Sequence, residues 1–135
     1  MEMPIGSNVL FQSIAHNPTG VDPSLEQWKT ILKICKERNL LIILDNAYQG
    51  FVSGDLQKDN FVIKLMVEEN MNFILTSSFS KNFGVYGQRL GCIHVVTNNN
   101  DEARKVFSQL KLIQRSTVSQ PVTHPAHIIP FMKIS

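Results

Sequence analysis

The sequence has 135 residues, of which 43% are hydrophobic and 18% are charged, so it forms one globular domain or a part of one and is too short for two full domains. Its formal net charge is +2 and its 13 basic residues are scattered along the chain, which gives no support to a nucleic acid or a membrane surface as partner. No apolar segment approaches the roughly 20 residues that cross a bilayer, and the first residues lack the pattern of a signal peptide, so we expect a cytoplasmic protein.

The first part of the chain alternates between strand and helix signals. Residues 9–15 predict a strand, which stops at the turn signal of residues 17–20 because proline and glycine both favour a turn there. A helix follows, with Asp22 or Ser24 as its cap and apolar residues at helical spacing that we expect in the core. Residues 40–44 are all leucine or isoleucine, which favours a strand buried on both faces.

The rest of the chain continues this alternation. In chain order it contains a polar loop at 50–58, a short helix at 60–69, strands at 73–76 and 91–97, and a helix capped by Asn100. The last helix carries an apolar stripe that we also expect in the core, formed by Ala103, Val106, Phe107, Leu110 and Ile113. After Arg115 the pattern fades into turn-like residues with three prolines, Pro121, Pro125 and Pro130.

The order of these elements predicts an open α/β sheet with right-handed crossovers. Only nine residues separate Lys81 from the fourth strand, which is too few for the crossover of about a dozen residues between parallel strands. We therefore expect a mostly parallel sheet with one antiparallel strand and helices on both faces. Ligands of such sheets bind beyond the carboxyl ends of the parallel strands.

Polar side chains follow each predicted strand, and this topology brings them to one edge. They are His16 and Asn17 after the first strand, Asp45 and Tyr48 after the second, Ser78, Ser80 and Lys81 after the third, and Arg89 before the fourth. A lysine amine can form a Schiff base with an aldehyde, and an arginine with hydroxyl groups can hold a phosphate. A carboxylate keeps a pyridine nitrogen protonated, so that the ring accepts electrons, and an amide and a phenol can donate to a phenolate oxygen. Together these groups predict a site for pyridoxal phosphate.

Three blocks of the sequence, AHNPTGVDPSLEQW, ILDNAYQGFVSGDL and SSFSKNFGVYGQRLG, resemble those of the aspartate aminotransferases in order and approximate spacing. That family consists of fold type I enzymes that use pyridoxal phosphate, and the similarity runs from about Pro4 to about Ile129. The resemblance implies that residues 1–135 are a fragment of the large, cofactor-binding domain. The small domain and the N-terminal part of the large domain are absent, so a mitochondrial parent is an alternative to a cytoplasmic one.

The resemblance also assigns roles to individual residues. Lys81 is the Schiff-base lysine and proton carrier, and Asp45 is the partner of the pyridinium nitrogen. Asn17 and Tyr48 donate to the cofactor's 3′-oxygen. The remaining assignments are Ser78, Ser80 and Arg89 around the phosphate, and Arg115 as the substrate-binding arginine of the neighbouring subunit.

The implied reaction transfers the amino group of L-aspartate to 2-oxoglutarate and gives oxaloacetate and L-glutamate, in a homodimer. Two alternatives are a truncated, inactive fragment that acts only through interactions, and an aminotransferase of other amino-acid specificity. We expect the isolated chain to have weak or no activity, because the glycine-threonine phosphate loop and the arginine for the substrate α-carboxylate are missing. Gln12 replaces a usual histidine behind the aspartate, so the tuning of that carboxylate could differ. Asn46 replaces a usual serine.

Simpler explanations exist for single residues. Asp45 could be a helix cap, Tyr48 a half-buried aromatic residue, Arg89 a surface cation, and Arg115 a cation at a helix C-terminus.

Metal binding is not indicated by the histidines and cysteines of the sequence. His124 and His127 lack a third ligand, and strand alternation puts Cys92 and His94 on one face as packing residues. With Cys35, the cysteines form no redox motif, which is typical of a reducing compartment.

Overall fold

The structure, a computed structural model, describes residues 3–120 and 123–128. Strands and helices alternate along the chain, as the sequence predicts. In chain order they are β1 (Asn8–Gln12), α1 (Leu25–Glu37), β2 (Leu41–Asn46), α2 (Leu56–Asp59), α3 (Phe61–Glu68), β3 (Phe73–Ser78), β4 (Gly91–Val96), α4 (Asn100–Thr117) and α5 (Thr123–Ile128), with a 3₁₀ turn at Tyr86–Gln88 before β4.

The four strands form one sheet in the order β1-β2-β3-β4. β1, β2 and β3 are parallel neighbours, whereas β4 pairs with β3 in the antiparallel direction. The predicted mixed sheet is therefore confirmed. The connection between β3 and β4, residues 79–90, contains a 3₁₀ turn and no crossover helix, so β4 returns in the antiparallel direction.

One face of the sheet is covered by α1 and α3. The centre of this core is formed by Ile42 and Leu44 of β2, which are 0% exposed. Trp28 of α1 packs edge-on against Phe11 of β1, with ring centroids 5.6 Å apart. The other buried members of the core are Leu32, Cys35, Val62, Met66, Met71 and Phe73. Burial of each large apolar side chain contributes about 1.5–3 kcal/mol, so this face fixes the position of the parallel strands.

The opposite face of the sheet is much less covered. α4 lies beside Ile93 and Val95, which point away from the α1 side of β4. The prediction that the α4 stripe belongs to the core is wrong for the described chain, since Phe107 is 59% and Ile113 57% exposed. Leu10 on β1 is 66% exposed. The helices do lie on both faces, but only the α1 and α3 side forms a closed core.

The boundaries differ from the sequence-based expectations at several points. Of the two candidate caps for α1, Ser24 is the one, and Gln27 completes a capping box with it. The cap of α4 is Asn99 rather than Asn100, which is the first helical residue. β1 ends at Gln12, before the predicted end at residue 15. The chain turns there because the amides of Ala15 and His16 donate to the Asp22 carboxylate.

Two short helices lie in segments that we expected to be irregular. α2 occupies the end of the predicted polar loop because the Asp55 side chain accepts hydrogen bonds from the first free amides of that helix. α5 follows the predicted end of regular structure, while Pro121 and Pro130 lie outside the described residues. Among the helices that the structure describes, none is long and apolar enough to cross a membrane.

Candidate active site

The polar residues predicted at the strand ends lie along one edge of the sheet. Gln12, Asp45 and Thr76 are direct neighbours on β1, β2 and β3. Ser78, the last residue of β3, pairs with Gly91, the first residue of β4. A Cβ atom on Gly91 would lie 2.7 Å from a β3 carbonyl oxygen, so only glycine fits where β4 starts. The groups thus gather at the carboxyl ends of the parallel strands, where open α/β sheets bind ligands.

Asp45 is half-buried and its position is fixed from both neighbouring strands. The Thr76 hydroxyl donates to Asp45 Oδ1 at 3.3 Å, and the Ser13 amide donates to the Asp45 carbonyl at 2.9 Å. The next helix begins only at Leu56, so Asp45 does not cap a helix. Its carboxylate is instead a fixed anionic group at the strand edge.

The loop after β1 is held by two side chains that flank it. Gln12 makes two hydrogen bonds with the backbone of Asn17, donating to its carbonyl at 3.0 Å and accepting from its amide at 2.7 Å. The Asp22 carboxylate accepts from the amides of Ala15 and His16 at 2.8 and 2.9 Å. Asp22, considered above as a helix cap, therefore organises this loop. Gln12 pairs with Asp45 in the sheet, and its side-chain amide holds Asn17.

Lys81, the predicted Schiff-base lysine, and Tyr48, the predicted donor to the cofactor's 3′-oxygen, together form the predicted catalytic pair, and the structure brings them together. The Lys81 amine lies 4.7 Å from the centre of the Tyr48 ring, close enough for a cation–π interaction. Phe51 packs edge-on against the same ring at a centroid distance of 6.4 Å. Both Tyr48 and Lys81 are half-buried. This contact joins the segments that follow β2 and β3, which are 33 residues apart at these positions.

The segment at 79–90, called the Lys81 segment below, carries the groups expected to bind an anion. The Ser80 amide donates to Ser78 Oγ at 3.3 Å, and Ser80 is buried. Arg89 is exposed and has a φ of 52°, a left-handed conformation that is uncommon outside glycine. Its guanidinium donates to the Tyr86 carbonyl at 3.4 Å. The backbone thus places Arg89 two residues before the start of β4, at the predicted edge.

Arg115 lies on a different element from the other predicted site residues. It is in the last turn of α4, is exposed, and donates to Ser119 Oγ at 2.7 Å. This local contact agrees with the simpler explanation of a cation near a helix C-terminus. A role for Arg115 in a neighbouring subunit's site stays a prediction.

Three residues of this edge were missed or misjudged by sequence reasoning. Thr76 holds Asp45, Asp22 holds the loop before Asn17, and Asp59 is a carboxylate that is only 1% exposed. A buried aspartate is rare unless its charge is compensated. One feature of the sequence could have pointed to Asp59, namely its position next to a glycine-containing loop whose backbone amides need hydrogen-bond acceptors. It was missed because an aspartate in a helix is usually exposed to solvent.

The cysteines do not add a reactive centre to this edge. Burial raises the pKa of the Cys35 thiol, and burial also raises that of Cys92 although a hydrogen bond with Ser77 opposes the shift. Cys92 Sγ lies 3.2 Å from His94 Nε2, so the two share one face as predicted. Within the described residues there is no group of three or more potential metal ligands, and the side chain of His124 lies outside the described part.

The sequence and the fold match known proteins over nearly the whole chain. The sequence model of the family described as aminotransferase class I and II matches residues 2–129. The chain is 47% identical over 126 residues to a mitochondrial aspartate aminotransferase of Dictyostelium discoideum, covering 93% of this chain and 30% of that protein. It is 45% identical over 125 residues to a cytoplasmic aspartate aminotransferase of Schizosaccharomyces pombe, covering 93% and 31%.

A solved structure shows the same fold. It is an aromatic-amino-acid aminotransferase from Burkholderia pseudomallei, covalently bound to pyridoxal phosphate, with a TM-score of 0.90 and 40% identity over 93% of this chain and 31% of that one. The chain belongs to the class I and II aminotransferase family, and its fold is that of the type I transferases, as predicted. It spans about 30% of the length of the curated relatives that it matches.

Proposed function

We propose that this chain supplies the lysine-bearing part of the cofactor site of an aspartate aminotransferase, within the large domain of that enzyme. The observation that carries the proposal is the contact of the Lys81 amine with Tyr48 at the sheet edge where Asp45 is the second-last residue of β2. An amine and a phenol in contact, with a carboxylate at the same edge of the sheet, have the chemistry to bind a pyridine aldehyde. The parent enzyme would transfer the amino group of L-aspartate to 2-oxoglutarate, giving oxaloacetate and L-glutamate, as a homodimer.

The donor set of the edge fits pyridoxal phosphate, which acts as an electron sink for the substrate's α-carbanion when it is bound. Lys81 would bond to the aldehyde carbon and move the proton between the substrate and the cofactor. Asp45 would pair with the ring nitrogen, and Thr76 supports it by donating to Oδ1 at 3.3 Å. The half-buried position of Asp45 strengthens such a pairing, since the effective dielectric constant is lower there than in water.

The remaining groups would position the two polar ends of the cofactor. Tyr48 and Asn17 would donate to the ring oxygen, and the backbone of Asn17 is already fixed by Gln12. Ser78, Ser80 and Arg89 would bind the phosphate, because hydroxyl and guanidinium donors form strong hydrogen bonds to phosphate oxygens. Arg115 would bind the distal carboxylate of the substrate in the partner subunit. Of these assignments, that of Arg115 has the least support from its contacts.

Covalent labelling of Lys81 tests the proposal directly. The purified chain is incubated with pyridoxal phosphate and treated with borohydride, which fixes any lysine bound to the aldehyde, and the labelled peptides are mapped by mass spectrometry. We expect Lys81 to be labelled at lower cofactor concentration than the other lysines. Lys81→Ala should remove this label, whereas Lys58→Ala, at a side chain that is 74% exposed, should leave it unchanged. Uniform labelling, or labelling that survives Lys81→Ala, would contradict the assignment of the lysine.

The amino-acid specificity of the parent has two candidates. The curated relatives named above are aspartate aminotransferases, whereas the solved neighbour is named for aromatic amino acids. We favour aspartate because identity to the former is higher. The same two relatives come from mitochondria and from the cytoplasm, so either compartment suits the parent. Activity of the longer enzyme with aspartate compared with phenylalanine would decide between the specificities.

A non-enzymatic interaction protein is the second candidate for the isolated chain. The exposed apolar stripe of α4 favours it, because patches such as Phe107 and Ile113 are association sites when nothing covers them. The 135 residues alone would then show weak or no transamination and would form assemblies. Light scattering measures whether the chain is a monomer or an assembly, and an activity assay measures transamination. A compact monomer with transaminase turnover would refute this second candidate.

A further inference from the structure

A buried carboxylate organises the loop that carries Tyr48. We call residues 47–55 the Tyr48 loop. Asp59, at the end of α2, is 1% exposed, and its two oxygens accept four hydrogen bonds from this loop. The Gly50 and Val52 amides donate to Oδ2 at 2.8 and 3.1 Å, and the Ser53 amide and hydroxyl donate to Oδ1 at 3.1 and 2.6 Å. Gly50 has a φ of 92°, so the turn itself requires glycine.

The hydrogen bonds of Asp59 act on both sides of Phe51. Gly50 precedes Phe51 and Val52 follows it, so the backbone that carries the phenyl ring is held on either side by one carboxylate oxygen. The Phe51 ring packs edge-on against Tyr48, and the Phe51 amide donates to the Tyr48 carbonyl at 3.0 Å. A short path therefore runs from Asp59 through Phe51 to Tyr48.

A second polar path anchors the residues next to Tyr48. The Ser13 hydroxyl donates to Asn46 Oδ1 at 2.8 Å, and Asn46 Nδ2 donates to Gln49 Oε1 at 2.9 Å. Gln49 Nε2 then donates to the Leu56 carbonyl at 3.0 Å. Tyr48 lies between Asn46 and Gln49 in the sequence, so this path limits its backbone. What it does not fix is the direction of the Tyr48 ring, which contacts Phe51 on one side and the Lys81 amine on another.

We propose that Asp59 is a positioning residue, which holds the Tyr48 ring against the Lys81 amine by fixing the backbone around Phe51. Asp59 touches neither Lys81 nor any group assigned above to the cofactor. Its importance for catalysis depends on the proposed function, because only there does Tyr48 donate to a cofactor. The geometry itself does not depend on it.

The ionisation of Asp59 supports this role. Burial alone would raise the pKa of the carboxyl, but the hydrogen bonds from Ser53, Val52 and Gly50 outweigh it and lower the pKa below its ordinary value. Asp59 is therefore charged at neutral pH, and both of its oxygens act as hydrogen-bond acceptors because neither carries a proton. Asparagine in the same space would offer one acceptor oxygen and direct an NH₂ group at amides that also donate.

The chemical shift of the Lys81 side chain reports the position of the Tyr48 ring without any cofactor. Protons above an aromatic ring are shifted upfield, so we expect a displaced NMR signal for the terminal CH₂ group of Lys81, next to the amine that lies 4.7 Å from the Tyr48 ring centre, in ¹³C-lysine-labelled protein. Lys81→Arg assigns that signal, and Tyr48→Leu gives its position without the ring. In Asp59→Asn we expect the signal to move most of the way to the Tyr48→Leu position. A signal that stays at the wild-type position in folded Asp59→Asn would overturn the proposal.

Two controls separate positioning from general loss of structure. Trp28 is the only tryptophan and is 1% exposed in the core, so its indole signal reports folding in the same samples. Asp55→Asn changes a neighbouring carboxylate, which caps α2 instead of binding the amides around Phe51. We expect the Lys81 signal of Asp55→Asn to stay at the wild-type position, and a shift as large as that of Asp59→Asn would overturn the proposal.

Two milder variants keep the test decisive if Asp59→Asn does not fold. Phe51→Ala removes a ring that is 58% exposed, so the core should survive, and it should shift the Lys81 signal in the same direction. Ser53→Ala removes the 2.6 Å hydroxyl bond to Asp59, together with the contacts of that hydroxyl with the Asp55 backbone, but keeps the amide bonds to Asp59, so it should give a smaller shift. In a folded Asp59→Asn/Phe51→Ala double variant the two shifts should not add, because both act on one path. No shift in either milder variant would refute the path through Phe51.

The result is independent of cofactor labelling. If Lys81 is not labelled by pyridoxal phosphate but its signal depends on Asp59, the proposed function fails and the positioning inference stands. If Lys81 is labelled and its NMR signal does not move in Asp59→Asn, only the positioning inference fails.

Discussion

The Tyr48 loop and the Lys81 segment follow neighbouring strands and meet at one contact, but they are held in different ways. The Tyr48 loop is fixed by buried side chains, namely Asp59 and the path from Ser13 through Asn46 to Gln49. The described hydrogen bonds of the Lys81 segment are mainly local, between residues no more than four apart, with one longer bond from the Phe79 amide to the Leu90 carbonyl at 3.1 Å.

This difference suggests a division of roles within the site. Side chains that are buried and fully hydrogen-bonded specify one geometry, because breaking them leaves unpaired polar groups. The half of the site that is proposed to face the cofactor ring is therefore held by the chain itself. The half that is proposed to bind the phosphate contains the exposed Arg89 in a left-handed backbone conformation, whose energetic cost a bound anion can offset. Mutations in the first half should therefore mainly lower the free energy of unfolding. Mutations in the second half should mainly weaken ligand binding.

The largest expected effect on stability is that of Asp59→Asn at neutral pH. The substitution leaves donors of Gly50, Val52 and Ser53 without a charged acceptor in a buried place, and we expect it to lower the free energy of unfolding by about 3 kcal/mol. Urea unfolding followed by Trp28 fluorescence measures this. Asp55→Asn, at a side chain that is 43% exposed, should change the free energy of unfolding little, because asparagine caps a helix about as well as aspartate does. Equal losses in the two variants would mean that the Tyr48 loop is not held more firmly than its surroundings.

A second, smaller effect is the pH dependence of that difference. The pKa of Asp59 is lowered in the folded chain, so its ionised form adds stability above the unfolded pKa of about 3.9, and this part is lost as the pH falls through the folded pKa. The stability gap between wild type and Asp59→Asn should therefore stay constant from neutral pH to about pH 5 and narrow below it. Other carboxylates titrate in both proteins and largely cancel. A gap that widens on acidification would show that Asp59 is not stabilised as an anion.

The sequence predicts the fold better than it predicts the supports of the site. Residues 40–44 and the short connection after Lys81 were enough for a mixed sheet, because hydrophobic runs and connection lengths act locally. The sequence correctly predicted that α4 has an apolar stripe, but the prediction that the stripe is buried was wrong, since Phe107 is exposed. A periodic pattern shows which face is apolar, and it does not show whether anything covers that face.

The placement of the polar residues at one edge of the sheet was predictable because they follow strand ends, whereas the residues that hold them were not. Asp59 looks like an ordinary helical carboxylate in the sequence, and only the three-dimensional path of the Tyr48 loop brings donors from Gly50 to Ser53 around it. Thr76 similarly gains its role from the register of β2 and β3. Supports of this kind depend on contacts between segments, and no spacing rule within one segment encodes them.

The smallest expected stability effect, with an opposite sign, comes from Arg89→Gly in the Lys81 segment. Arg89 has φ 52° and ψ 50°, and glycine adopts this region without steric cost, so we expect a gain of about 0.5 kcal/mol. Loss of the guanidinium should at the same time weaken phosphate binding. Pyridoxal lacks the phosphate, so the preference of Lys81 for labelling by pyridoxal phosphate over pyridoxal should fall about tenfold, as for one charge-assisted hydrogen bond.

Two further variants separate the backbone effect from the charge effect at this position. Arg89→Ala removes the charge but keeps a side chain in the left-handed region, so it should lose the phosphate preference without the gain in stability. Asn39 has φ 52° at the end of α1, far along the chain from the Lys81 segment, and Asn39→Gly should leave the labelling preference unchanged. If Arg89→Gly keeps the preference for pyridoxal phosphate, the phosphate is bound elsewhere. The left-handed backbone would then serve only the entry into β4, and the two halves of the site would not differ in the way proposed.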